Sequence, residues 1–400
     1  MSVQRESDPP AEACPDDAAA GLLDEARSLV SLIEAGAEAH EDASELAPEV
    51  IEAIEQSNLL RMMAPRAVGG LEADPQTMID VLRTLSYADG STGWYCGAVM
   101  TAGAVAGAYL GERAIDAVFG RDGKARAAGQ AAPLGKAERV GDGYRISGTF
   151  SFGSGSPSAD WLVGGYVLHE DGAPVMTPAG PRMLIALAPR AKVAFLGNWD
   201  VLGLRGTGSY DFRVEEQVVH EDFAFAVDQT VARRGGQLYR MGFMAIPCLT
   251  HAAFALGCGA RALDEWSAFS RTKKRVPRGF ANELHTVQRD MAFAQGELRA
   301  AEAYVRASFD ALYVAAVAGA PPDDLRLDGR LCASHATFAG LKATSAAFAS
   351  ATTTGLRNGN RLQRCHRDMQ AAVSHFMTGE QSVIDLGAVI AGAPGAALIF

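Results

Sequence analysis

The chain has 400 residues, 48% hydrophobic and 21% charged, with a formal net charge of −11. These proportions suit a globular enzyme of one large or two to three smaller domains, and the acidic balance argues against a nucleic-acid binder or an electrostatic membrane anchor. The six cysteines form no CxxC pair, which points away from zinc and disulfides and toward a reducing cytoplasm.

In chain order, residues 1–18 carry Pro9, Pro10 and Pro15 among acids and read as a disordered start without a signal-peptide pattern. Residues 19–123 read as a helical domain. Leu22, Ala26, Leu29, Val30 and Ile33 recur at helical spacing, and Thr77 to Tyr87 continues it. Asp89 or Ser91 is placed to cap the Ala-rich helix from Gly93 to Leu110, whose Gly and Ala content suits a buried helix rather than a membrane span. Residues 124–231 change to short alternating segments between Gly, Pro and Asp turns, the pattern of a small β-barrel or sandwich. Residues 232–400 return to long helices: Phe254–Phe269, Glu283–Val317, Leu331–Thr354 and His366–Ile390, a four-helix bundle. The fold class is therefore α+β, with helices, then strands, then a bundle.

Within the β segment, Gly143 to Trp161 runs from a strand into Ser151, Gly153, Ser154, Gly155 and Ser156, flanked by Phe152 and Trp161. Glycines admit close backbone approach to a flat ligand, hydroxyls hydrogen-bond to it and aromatics stack on it. A plain Ser/Gly loop between strands accounts for the same residues.

Five stretches resemble the acyl-CoA dehydrogenase superfamily, and more narrowly its two-component, flavin-dependent monooxygenases. They are Leu60–Leu71, Tyr87–Trp94 (YADGSTGW), Gly143–Trp161, Gly203–Asp211 (GLRGTGSYD) and Leu362–His375 (LQRCHRDMQAAVSH). The resemblance implies an N-terminal helical domain, a central β domain and a C-terminal bundle that forms a homotetramer.

In the dehydrogenases of that superfamily a glutamate removes the substrate α-proton. The aligned position here is Phe376, and no carboxylate stands near Pro247-Cys248, the second family location; Glu380 is the nearest substitute. The resemblance therefore implies oxygenation by reduced flavin and O₂ through a C4a-(hydro)peroxyflavin. His375 aligns with the group that stabilises or protonates that adduct, and a histidine titrating near neutrality suits the task. A histidine merely satisfied inside the bundle is the bland alternative.

Ser154 aligns with a hydroxyl facing flavin N5, and Phe152 with an aromatic packed on the isoalloxazine ring. Gln130 to Pro133 align with a loop along the pyrimidine edge, and Thr207 and Ser209, in GTGS, with a tight turn near the flavin. Arg271 and Lys274 lie in a basic cluster, SRTKKRVPRG, that in the family reaches a flavin phosphate, often across a subunit interface. A turn-forming Ser or Thr, a core Phe and a solvated basic loop are the structural alternatives for these positions.

The family's distal FAD clamp, Gln-x-x-Gly-Gly, is replaced by Ala349–Thr353, which favours FMN over FAD. No G-x-G-x-x-G follows a strand, so reduced flavin is expected from a separate reductase. Trp94, Phe243, Phe254 and Phe376 are candidates for the substrate pocket, favouring an aromatic or polyketide-like substrate. Two other readings remain: an FAD-dependent acyl-CoA dehydrogenase with a displaced base, and a non-catalytic relative.

Overall fold

The structure, a computed structural model, describes residues 15–396 except 121, 122, 179, 229 and 230. Most of the expected disordered start lies outside the described residues. Five helices come first: α1 (Pro15–Ala43), α2 (Pro48–Gln56), α3 (Pro75–Ala88), α4 (Gly90–Tyr109) and α5 (Glu112–Phe119). Helix α3 begins at Pro75 because proline needs no amide partner in the first turn, and Asp74 accepts from the amides of Gln76 and Thr77. Helix α4 is capped by Asp89, which accepts from the Thr92 amide and hydroxyl. Ser91, the other candidate cap, instead accepts from the Gly206 amide at 3.1 Å.

The strands follow: β1 (Ala127–Val140), β2 (Gly143–Gly153), β3 (Trp161–Glu170), the two-residue β4 (Ala173–Pro174), β5 (Met176–Thr177) and β6 (Gly180–Pro181), then β7 (Met183–Pro189), β8 (Val193–Gly197), β9 (Tyr210–His220) and β10 (Ala224–Ala226). One mixed sheet runs in the order β10-β7-β3-β1-β2-β9-β8, with β4 beside β3. It folds over far enough for β7 and β9, with three strands between them in that order, to touch. Side chains alternate across a strand. Leu162, Tyr166, Leu184 and Ala186 therefore fill the sheet's own core with Phe150 and Phe212. Val163, Ile185 and Leu187, one residue out of phase, join the helical core.

The chain then forms α6 (Gln237–Arg240), α7 (Ala245–Thr272), α8 (His285–Ala318), α9 (Asp323–Ala351), α10 (Arg361–Ala372) and α11 (Glu380–Ile390). Helix α7 is apolar on most sides because it packs on α3, α4, α8, α9 and α10. The fourth long helix expected from His366 to Ile390 is interrupted. The His375 carbonyl accepts from the amides of Thr378 and Gly379 and closes a turn. A Cβ at Gly379 would lie 2.4 Å from the Val373 carbonyl oxygen. The break at 373–379 lifts His375 out of helical register.

The three regions meet at one buried joint. The Asp368 carboxylate on α10 accepts from the Leu204 amide at 2.6 Å and sits against Gly90, where a Cβ would come within 2.5 Å of Oδ2. Gly203 lies directly on the α10 backbone, with space for no side chain before Arg367 O. Arg367 grips both oxygens of Glu41 on α1 at 2.8 Å and donates to Leu202 O. This joint explains the GLRGTG stretch: Gly203 and Gly206 permit contact, and Leu204 is held at φ 56° by its bond to Asp368. Burial first, then nearby Asp89, pushes the Asp368 carboxyl up to about 7.

Two sets of outcomes follow. Gly257 on α7 crosses α3 so closely that a Cβ would sit 2.4 Å from Arg83 O, whereas Gly296 on α8 has open space. Gly257→Ala should cost about 1–3 kcal/mol and Gly296→Ala should gain about 0.5–1 kcal/mol in denaturant unfolding. An Asp ionises near 4 when unfolded, but Asp368 near 7 when native. The native state therefore holds the extra proton between those values, and stability falls as pH rises through that window. Asp368→Asn, which still accepts from Leu204, should flatten this decline in unfolding midpoints measured from pH 4 to 8.

Candidate active site

A cavity of about 570 Å³ opens where α4, the sheet, the 199–209 loop, the start of α7 and the α10–α11 break converge. That volume is typical of a small-molecule or cofactor site. Its wall is mostly apolar, and none of its lining residues is an Asp, Glu, Lys or Arg. Eight residues singled out from the sequence line it. Trp94 comes from α4, Gln130 from β1, Phe152 and Ser154 from the end of β2. Phe243 and Phe254 come from α7 and the turn before it, and His375 and Phe376 from the break.

Aromatic rings organise one wall. Trp94 meets His251, Phe254 and His375 edge-on, at centroid distances of 4.8, 5.1 and 5.6 Å. His251 and His375 lie 4.4 Å apart. His251 Nδ1 is 2.7 Å from Pro247 O, which can only accept, so Nδ1 carries the hydrogen. Nδ1 of His375 faces the Met377 amide at 3.4 Å, which can only donate, so its neutral ring carries hydrogen on Nε2. Burial, and secondarily His251, hold His375 well below the usual imidazole range, and burial lowers His251 as well. Burial beside a second imidazole thus favours His375 as a neutral N–H donor over the group titrating near neutrality that was expected.

A chain of hydroxyls adjoins this wall through Trp94. Trp94 Nε1 donates to Ser154 Oγ at 3.1 Å, Ser154 Oγ is 2.7 Å from Ser209 Oγ, and Ser209 Oγ is 2.6 Å from Thr207 Oγ1. Thr207 Oγ1 in turn donates to Leu204 O at 2.7 Å. Thr207 itself lies behind the lining, and only Ser154 and Ser209 of the three reach the cavity.

The β2 end is strained to serve this wall. Phe152 is held at φ 64°, a conformation unfavourable for a bulky side chain, and is 63% exposed. A register shift between Phe150 and Gly153 places it there, edge-on to Trp199 at 6.1 Å. On β1, a bulge between Gln130 and Pro133 turns Gly129, Gln130 and Ala131 to the cavity, with Gln130 Oε1 accepting from the Ala132 amide.

Pro133, Arg271 and Lys274 do not reach the cavity lining. Pro133 is exposed past the bulge. Arg271 is twenty residues beyond His251 on α7, about 30 Å at 1.5 Å per residue. The basic loop instead folds onto its own chain: Lys273 donates to Thr354, and Arg275 to Thr352 and Ser350 O. It therefore abuts residues 350–354, the stretch standing where the family's FAD clamp would be. Glu380 opens α11 on the exposed surface, outside the cavity. Sequence reading missed His251 and undervalued Ser209. His251 stands one helical turn past Pro247, the position inspected for a carboxylate, and three residues before Phe254 on the same face.

Residues 249–380 match the family model for the acyl-CoA dehydrogenase C-terminal domain. The chain is 29% identical over 379 residues to indole-3-acetate monooxygenase of Pseudomonas putida, covering 93% of this chain and 92% of that protein. It is 29% identical to the flavin-dependent monooxygenase oxygenase subunit HsaA of Rhodococcus jostii, covering 87% and 92%. The crystal structure of 3-HSA hydroxylase from Rhodococcus sp. RHA1 superposes with a TM-score of 0.86 at 26% identity, over 95% of this chain and 99% of that one. With helices, folded-over sheet and bundle in the same order, the chain has an acyl-CoA dehydrogenase-like fold, and the relatives it resembles over most of its length are flavin-dependent monooxygenases.

Proposed function

We propose that this chain is the oxygenase component of a two-component system. It takes reduced flavin, FMN in preference to FAD, from a separate reductase and oxygenates an aromatic or polyketide-like substrate with O₂. The observation carrying this reading is the pairing of a cavity wall without a carboxylate with a neutral His375 whose Nε2–H is free to donate. A dehydrogenase would need a carboxylate there to remove the α-proton; an oxygenase needs a donor that stabilises developing negative charge.

The residues fit a flavin. The cavity would admit a flat ring between the β1 bulge and the 203–209 loop, with Ser154 and Ser209 as hydroxyl partners and Phe152 among its lining. When bound, reduced flavin supplies the two electrons that activate O₂. Ser154 would hold the ring at N5, Gln130 would face its pyrimidine edge, and His375 would donate from Nε2 to oxygen-borne negative charge. Trp94, Phe254 and the two histidines keep water from this corner. Phe243, Phe254 and Phe376 supply an apolar surface for the substrate.

The lining offers no cation to a flavin phosphate. In this reading Arg271 and Lys274 would serve a neighbouring subunit's flavin, which accords with a homotetramer. Exposed Phe293, Val314 and Val317 on α8, Phe338 on α9 and Ile384 on α11 are apolar surface for such packing. Sedimentation of the intact chain tests the assembly. The cytoplasm is the proposed location.

The decisive experiment mixes protein and anaerobically reduced FMN with O₂ in a stopped-flow instrument. An absorbance phase distinct from both reduced and oxidised flavin supports the reading; its absence with both FMN and FAD counts against it. Turnover restricted to charged sugar nucleotides would contradict the proposed substrate class.

His375→Ala should lower product formation about 10²-fold while flavin oxidation continues with release of H₂O₂, measured as peroxide formed per flavin oxidised. Because burial keeps His375 and His251 neutral, the fraction of flavin oxidation coupled to product should stay flat from about pH 6.5 to 8.5. An inflection near the ordinary imidazole value in coupling assays would show that the pair titrates.

A further inference from the structure

The hydroxyl chain behind the cavity has a fixed proton direction, because both of its ends are chemically one-sided. Trp94 Nε1 can only donate, and the Leu204 carbonyl can only accept. Thr207 has one hydroxyl hydrogen, and it goes to Leu204 O at 2.7 Å. Thr207 Oγ1 must therefore accept at its 2.6 Å contact, so Ser209 donates to it. Ser209 has then used its hydrogen and must accept at its 2.7 Å contact, so Ser154 donates to Ser209.

Ser154 has now given its only hydrogen inward and taken the Trp94 N–H on one lone pair. What it has left for the cavity is the other lone pair. Reversing this would strip Ser209 of the hydrogen in a short buried O···O contact and bring two acceptors together. Burial makes that costly: Ser154 is 9% exposed, Ser209 2% and Thr207 1%.

We propose that this one-way relay makes the site read the protonation of flavin N5. Ser209 and Thr207, as positioning residues, force Ser154 to accept rather than donate. The site then favours the reduced flavin, whose N5 bears a hydrogen, over the oxidised flavin, whose N5 is a bare acceptor. An acceptor facing an acceptor leaves both unpaired, the arrangement by which polar sites reject a ligand lacking the matching group. The inference rests on the proposed flavin reading and adds to it a basis for taking reduced flavin from solution and releasing the spent form.

The test measures dissociation constants of the full-length chain for oxidised FMN in air and for reduced FMN anaerobically, by flavin fluorescence and absorbance. Wild type should bind the reduced form at least tenfold more tightly, equivalent to raising the bound two-electron potential by about 30 mV. Ser209→Ala removes the acceptor that consumes the Ser154 hydrogen and frees that hydroxyl to donate into the cavity. Thr207→Val, close to isosteric and one hydroxyl further back, frees Ser209 to donate toward Ser154 and should act in the same direction.

Both variants should therefore gain affinity for oxidised FMN, three- to tenfold, and lose most of the discrimination. Trp94→Phe leaves the relay's direction intact and should preserve the ratio. A merely structural role for Ser209 and Thr207 predicts weaker binding of both forms at an unchanged ratio, and that result overturns the relay. Wild type binding neither form of FMN or FAD would overturn the flavin reading itself, and the relay with it.

Discussion

The contact on which the rest depends is the seating of the 203–209 loop between α4 and α10. A single carboxylate, Asp368, receives the Leu204 amide while lying against Gly90 at the start of α4. Gly203 rests on the α10 backbone, and Ser91 takes the Gly206 amide. Helix α4 carries Trp94, the loop carries Thr207 and Ser209, and α10 leads into His375. One buried joint thus sets the mutual positions of three walls of the cavity. Rigid elements clamped at one point hold a site more accurately than mobile loops would. The clamp also puts a carboxyl where burial opposes its ionisation, so the protein gives up some stability at neutral pH to keep the walls in place.

The two polar walls are complementary. On one, burial removes charge: two imidazoles, 4.4 Å apart, stay neutral and His375 offers a hydrogen. On the other, three hydroxyls pass their hydrogens away from the cavity and Ser154 offers a lone pair. Trp94 joins them, with its N–H on the serine and its ring against both histidines. A donor and an acceptor on the lining of one apolar cavity define an orientation for a ligand that has both kinds of group. With no charged residue on the lining, these few hydrogen bonds are among the few polar contacts the cavity offers a ligand.

Much of this was legible in the residues. Helical and two-residue periodicities mark the succession of helices, strands and helices because each must bury one face. Asp74-Pro75 and Asp89 mark helix starts because local backbone groups need partners that only adjacent side chains supply. Eight of the candidate site residues do line one cavity, from Trp94 to Phe376. The break at 373–379 was not legible. The apolar spacing continues across it, and the turn is made by backbone bonds to His375 O and by a crowded Gly379 that composition alone does not reveal. Arg271 and Lys274 lie on a loop that within one chain folds onto 350–354, so the sequence alone does not say which flavin, its own or a neighbour's, that loop would meet.

By itself, then, the sequence determined the order of elements, the helix caps and the apolar, carboxylate-poor chemistry around Phe376, because these depend on neighbours a few residues away. Only the tertiary structure decided which hydrogens point where. The tautomers of His251 and His375 follow from nearby backbone groups, the Pro247 carbonyl and the Met377 amide, but the relay exists only where Ser154 meets Ser209 and the Trp94 indole, from segments far apart in the chain. Hydrogen-bond polarity is fixed by whichever partner can only donate or only accept. For Ser154 that chain of partners is complete only once distant segments meet.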